Sequence, residues 1–135
     1  MTEARTWVGT PFKHQGRTKG VGVDCLGIVL GVAEELDIVR LTDREMKLLS
    51  RYKRIPNALE IIKRLKGRVI KKGTLEVGAI VHLSWGRGMA YHAGIITSLD
   101  DGIMAVHARG YPTAEVVEEI LPSSMDIIGY YRFKA

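Results

Sequence analysis

The chain holds one cysteine in 135 residues, which excludes an internal disulfide. Its thiol is therefore either a buried inert group or a reactive one, and the reactive reading requires it to stay reduced. No uninterrupted apolar run approaches the roughly 18 residues needed to cross a bilayer. The opening stretch, residues 1–8, carries Glu3 and Arg5 and lacks both an apolar core and a small-residue cleavage site. The expectation is that nothing in it directs the chain to the secretion machinery. There is no internal repeat and no low-complexity segment.

What is present is an ordinary water-soluble composition, 46% hydrophobic and 26% charged. A chain of this length buries one modest core, so a single domain over residues 1–135 is expected. The formal net charge of +5 attracts polyanions, a class that includes nucleic acids, anionic membranes and the bacterial wall.

Residues 2–8 suit a short helix that Gly9-Thr10-Pro11 breaks. A loop then runs to Val23 and holds Gly16, Gly20 and Gly22; loops of this length are usually functional. Asp24 is a good N-cap for residues 25–36, which are apolar nearly all round and read as a central buried helix. Apolar positions at helical spacing predict two surface helices over 42–51 and 57–66. From residue 68 the pattern turns to strands, predicted over 79–85, 90–97, 103–108, 115–120 and 126–134. Helices first and strands after is an α+β order.

Cys25 falls at the first helical position behind its Asp24 cap. Unpaired backbone N–H groups and the helix dipole favour negative charge there, and the thiolate is the nucleophilic form of cysteine. The bland alternative is a small buried hydrophobe. A thiol nucleophile needs a base of near-neutral pKa and a polar group to orient it. The chain offers His14, His82, His92 and His107. His92 precedes the small residues Ala93 and Gly94, and His107 lies one predicted strand later, so neighbouring strands can set the two side by side. Each taken singly also reads as a hydrogen-bonded strand histidine.

Other chemistries fit less well. Cys25, His92 and His107 match no compact zinc spacing, so no metal is expected. Gly20-Val21-Gly22 lacks the Gly-Lys-Ser/Thr ending of a phosphate-binding loop. Basic residues gather between Arg51 and Lys72, but no aromatic within 57–72 interleaves with them for base stacking. The cluster reads as a solvated face, and no nucleic-acid partner is expected.

Two segments carry a family resemblance. Gly9-Thr10-Pro11-Phe12-Lys13-His14-Gln15-Gly16 followed by Gly22-Val23-Asp24-Cys25-Leu26-Gly27 resembles the opening pattern of the NlpC/P60 cysteine peptidases, and more closely their phage-associated cell-wall branch. His92-Ala93-Gly94-Ile95 and Val106-His107-Ala108 resemble that family's later catalytic blocks. The resemblance implies a papain-like α+β fold, with the nucleophile at the N-terminus of a buried helix packed on a C-terminal antiparallel sheet. It implies that Cys25 attacks, His92 shuttles the proton and His107 orients His92, without a cofactor. Phe12, His14 and Asp24 would lie at the substrate and oxyanion side, where the backbone N–H of Cys25 is a further donor. The family commonly has tyrosine in place of Phe12, and loss of one oxyanion donor costs on the order of a hundredfold in rate in other acyl-transfer enzymes. The implied substrate is the peptide stem of peptidoglycan and the implied partners are phage tail proteins. Synthesis in the cytoplasm and action at the bacterial wall complete that expectation. A tail component that keeps the fold without cutting, and an amidase or acyltransferase of the same fold, are the alternatives.

Overall fold

The structure, a computed structural model, describes residues 2–14, 16–38, 42, 44, 70–84, 91–110 and 112–134. The chain is α+β, as the order of sequence periods implies. Helix α1 (Thr2–Arg5) is followed by a small hairpin, β1 (Arg17–Thr18) and β2 (Gly22–Val23), and by helix α2 (Cys25–Glu35). Among the described residues six more strands follow: β3 (Ile70–Lys72), β4 (Ile80–Ser84), β5 (Tyr91–Ser98), β6 (Met104–Ala108), β7 (Val116–Ile120) and β8 (Asp126–Phe133). They form one sheet in the order β3-β8-β4-β5-β6-β7, every pairing antiparallel.

The five strands expected from residue 79 onward are all present, within a residue or so of the expected bounds. Two features exceed the sequence reading. β3 is too short to show a period, and the 9–23 loop contains the β1–β2 hairpin. The helices expected over 42–51 and 57–66 lie outside the described residues, apart from Thr42 and Arg44.

Helix α2 starts at Cys25 because Asp24 has extended backbone and its Oδ1 accepts the N–H of Gly27 at 2.8 Å. It ends where Asp37 takes a left-handed backbone, φ 55°, and the Ile38 N–H donates to Ala33 O at 2.9 Å. An uninterrupted apolar sequence between these stops allows burial on nearly every side. Leu26, Ile28, Val29, Leu30 and Val32 join Ala93, Ile95, Val106, Ala108 and Val116 in the main core, with Trp7 beside them. Alternation along the strands sends Val81, Leu83, Ile96 and Ala105 to a second apolar cluster on the other face.

The 9–23 segment is held to the sheet and to α2. Gly9 N–H donates to Val116 O, Val116 N–H to Thr10 O and Phe12 N–H to Ala114 O, at 2.9, 2.9 and 2.8 Å. These bonds cover the outer edge of β7 as it begins, an edge that otherwise presents unpaired backbone groups. Lys19 Nζ reaches Thr6 Oγ1 at 2.6 Å, in the turn after α1, and Glu35 Oε1 at 2.9 Å, at the end of α2, tying the hairpin to both.

Gly27 is where this segment crosses α2. A Cβ there would run into the carbonyl oxygen of Gly16 and stand 2.7 Å from Val23 Cγ2. Gly27→Ala gains about 1 kcal/mol of helix propensity. The obstruction is backbone, and such overpacking costs about 1–3 kcal/mol. We expect a net loss near 1 kcal/mol, seen as a lower urea midpoint at unchanged slope; a raised midpoint would show that the loop yields freely.

Candidate active site

The first turn of α2 delivers Cys25 to the backbone of β5. The residue is partly buried, and its sulfur meets the N–H of Ala93, the neighbour of His92. Three backbone N–H groups, those of Ala93, Leu26 and Cys25 itself, favour the thiolate as a helix start should. They are outweighed. Burial, reinforced by the charge of Asp24, pushes the thiol up to about 12. The helix start lies where the sequence puts it, while burial and the Asp24 charge oppose the thiolate that the helix start favours.

His92 and His107 come together as the sequence suggests. His92 Nε2 and His107 Nδ1 are 2.7 Å apart, with the rings edge to face at a 70° interplanar angle. Register explains the approach. Ile95 pairs with Val106 in the antiparallel β5–β6 ladder, which sets Gly94 against His107 and His92 diagonally from it. A side chain at residue 94 would stand 3.1 Å from His107 Cβ, so glycine leaves the room that the two rings fill. His107 is fully buried and His92 nearly so. Burial first, then the charges of His107 and Arg109, pushes His92 down to about 3. His107 is also lowered, again chiefly by burial, against an opposing bond and charge from Glu119.

Two members of this arrangement escaped the sequence reading. Glu119 Oε1 lies 2.9 Å from His107 Nε2, and Arg109 Nη1 lies 3.3 Å from the same carboxylate oxygen. Signals for both exist. Arg109 follows His107 by two, the strand period, and Glu118-Glu119 interrupts an otherwise apolar β7. His92, His107, Arg109 and Glu119 form one chain of contacts across β5, β6 and the β7 edge.

The remaining expected residues surround the first turn of α2. Asp24 is buried and its Oδ1 caps the helix. A carboxylate accepts hydrogen bonds and cannot donate one to an oxyanion, so its part here is to hold α2 and to oppose charge on Cys25. Phe12 is pinned by backbone beside Val23 and packs against the main core. His14 stands in the following turn, partly buried. His82 is fully buried opposite Ala93 in β4, its ring 6.3 Å from that of Tyr131. Among the described residues no group of three or more His, Cys, Asp or Glu is placed to hold a metal ion, and no helix is long and apolar enough to cross a membrane.

A capped helix bearing a thiol lies against an antiparallel sheet that carries paired histidines, in an α+β fold. The fold is similar to the solved structure of an N-acetylmuramoyl-L-alanine amidase from Bacteroides uniformis, with a TM-score of 0.56 over 99% of this chain and 97% of that one. Sequence identity between them is 13%, so the likeness is one of fold. No protein-family model matches the chain, and no curated protein matches it by sequence.

Two expectations follow from the electrostatics. Asp24→Asn keeps an oxygen to cap the helix and removes the charge, so the pH curve for alkylation of Cys25 by iodoacetamide shifts to lower pH; an unshifted curve would remove Asp24 as a cause. The second concerns acid stability. His92, lowered from 6.5 to about 3, binds its proton more readily in the unfolded chain, so its contribution is complete above pH 6.5 and fades as pH falls toward 3. Between neutral pH and about pH 4.5 that single group removes about 3 kcal/mol, at about 1.4 kcal/mol per pH unit. Urea midpoints across this range check it, and a flat profile would contradict the buried neutral imidazole.

Proposed function

We propose that the chain is a cysteine-type hydrolase of the NlpC/P60 kind, with a papain-like arrangement, that cleaves an amide bond in the peptide part of peptidoglycan. The observation that carries this reading is the 2.7 Å His92–His107 contact on strands whose next residue, Ala93, meets the Cys25 sulfur. Similarity of fold to a solved cell-wall amidase supports the substrate class, as does the resemblance of the Asp24-Cys25, His92 and His107 blocks.

Because burial leaves both thiol and imidazole uncharged at rest, the mechanism is general-base attack rather than attack by a standing thiolate. As the Cys25 sulfur bonds to the substrate carbonyl carbon, its proton passes to His92. The carbonyl oxygen gains charge beside the backbone N–H of Cys25, one of the orphan donors of a helix start. His92 returns the proton to the leaving amine as the C–N bond breaks, leaving a thioester. Water then attacks that thioester and gives a proton to His92, which passes it to the sulfur as the C–S bond breaks and the carboxylic acid product leaves. His107 holds the His92 ring throughout. Phe12 offers no hydroxyl to the oxyanion, so a modest rate belongs to the proposal.

Fold similarity to an N-acetylmuramoyl-L-alanine amidase makes the first amide of the stem a candidate beside bonds within it. The phage-associated resemblance adds delivery to the wall with tail components and synthesis in the cytoplasm. A second reading, a tail component that binds wall or partner without cutting, is favoured by the thiol's rise to about 12.

Digestion of purified muropeptides, followed by product masses, tests the proposal and identifies the bond. Wild-type protein is expected to release a peptide, and Cys25→Ala to lose all turnover with its melting curve kept. Equal turnover by the variant would remove the thiol mechanism, and a folded wild type that cuts nothing would leave the binding reading.

A further inference from the structure

Resting on the reading of Cys25 and His92 as nucleophile and base, we propose that Glu119 is a positioning residue that selects, through His107, which ring nitrogen of His92 is the basic one. A neutral imidazole carries one N–H and one lone pair, whereas a carboxylate only accepts. At 2.9 Å from Glu119 Oε1, His107 Nε2 must therefore carry the hydrogen. His107 Nδ1 is then the lone pair, and the 2.7 Å contact to His92 Nε2 is a hydrogen bond only if that nitrogen donates. The proton of His92 is thus fixed on Nε2, which leaves Nδ1 as its basic nitrogen, the one that would take the thiol proton in the proposed reaction.

Reversal of the chain needs a donor where Glu119 supplies an acceptor. Arg109 guards against it, since its guanidinium lies 3.3 and 3.4 Å from the two carboxylate oxygens and holds an acceptor in place. No ring in this relay changes partner when His92 is protonated. The new charge strengthens the existing His92-to-His107 bond, and the Glu119 carboxylate stabilises it at one remove.

Glu119→Gln converts this into a test. Arg109 draws the amide oxygen, which turns the amide NH2 toward His107 Nε2 and inverts the relay, so that His107 Nδ1–H donates to His92 Nε2. His92 then carries its proton on Nδ1 and cannot accept one there. The same logic applies when the carboxylate of a catalytic triad is replaced by its amide, where the wrong tautomer lowers kcat by about ten-thousandfold.

Long-range proton–nitrogen correlation spectra of the full 15N-labelled chain at neutral pH read the ring tautomers directly. Wild type is expected to show His92 protonated on Nε2, Glu119→Gln on Nδ1, and Glu119→Asp on Nε2 again. Wild-type His92 protonated on Nδ1 overturns the proposal without any variant, and so does a folded Glu119→Gln whose tautomers match the wild type. On a cleavable muropeptide, kcat of Glu119→Gln is expected to fall on the order of a thousandfold with KM nearly kept. If the tautomers behave as expected and the wild type cleaves nothing, Glu119 keeps its positioning role while the hydrolase reading fails.

Discussion

Cys25 sits where the first turn of α2 presses against the backbone of β5, and the partial exclusion of water from that seam bears on the rest of the site. Desolvation acts on both the thiol and His92, holding a proton on the first and keeping one off the second. The helix start supplies N–H groups that favour the opposite outcome for the sulfur, but a few partial charges do not offset the removal of a full charge from water. Partial exclusion of water also strengthens whatever dipoles lie there. In the hydrolase proposed above, the same feature that quiets the resting thiol would favour stabilisation of charge that develops only during attack.

The architecture that produces this seam is economical. One nearly all-apolar helix lies on the inner face of an antiparallel sheet, with the 9–23 segment lashed over the helix start and along the β7 edge. Gly27 permits the lashing and Gly94 permits the histidine contact. Both are places where a methyl group would meet a close neighbour. The polar relay from His92 to Arg109 runs across the sheet, with His92, His107 and Glu119 held by strands whose register is set by apolar neighbours and Arg109 just past the end of β6.

Legibility differed sharply between these parts. The strands from β4 to β8 were readable because alternation, glycine punctuation and β-branched residues agree over stretches of five to eight residues. α2 was readable because Asp24 and the apolar run have only one sensible register. β3 and the β1–β2 hairpin were not, since elements of two or three residues carry no period and exist only through their partners. Of the site, Cys25, His92 and His107 stood out as chemical types in spaced blocks. Glu119 and Arg109 did not, because an acid on one strand and a base on another look like surface charge until pairing sets them beside a buried imidazole.

By itself, then, the sequence determined the α+β order, the capped start of α2 at Cys25, and which histidines share neighbouring strands. These depend on neighbours in the chain or on simple periods. The tertiary structure alone decided the charge state of the thiol and the imidazole, the partnership of His107 with Glu119, and the docking of the 9–23 segment. Each of those depends on how much water is removed and on which distant backbone supplies the partner, quantities that no local pattern encodes.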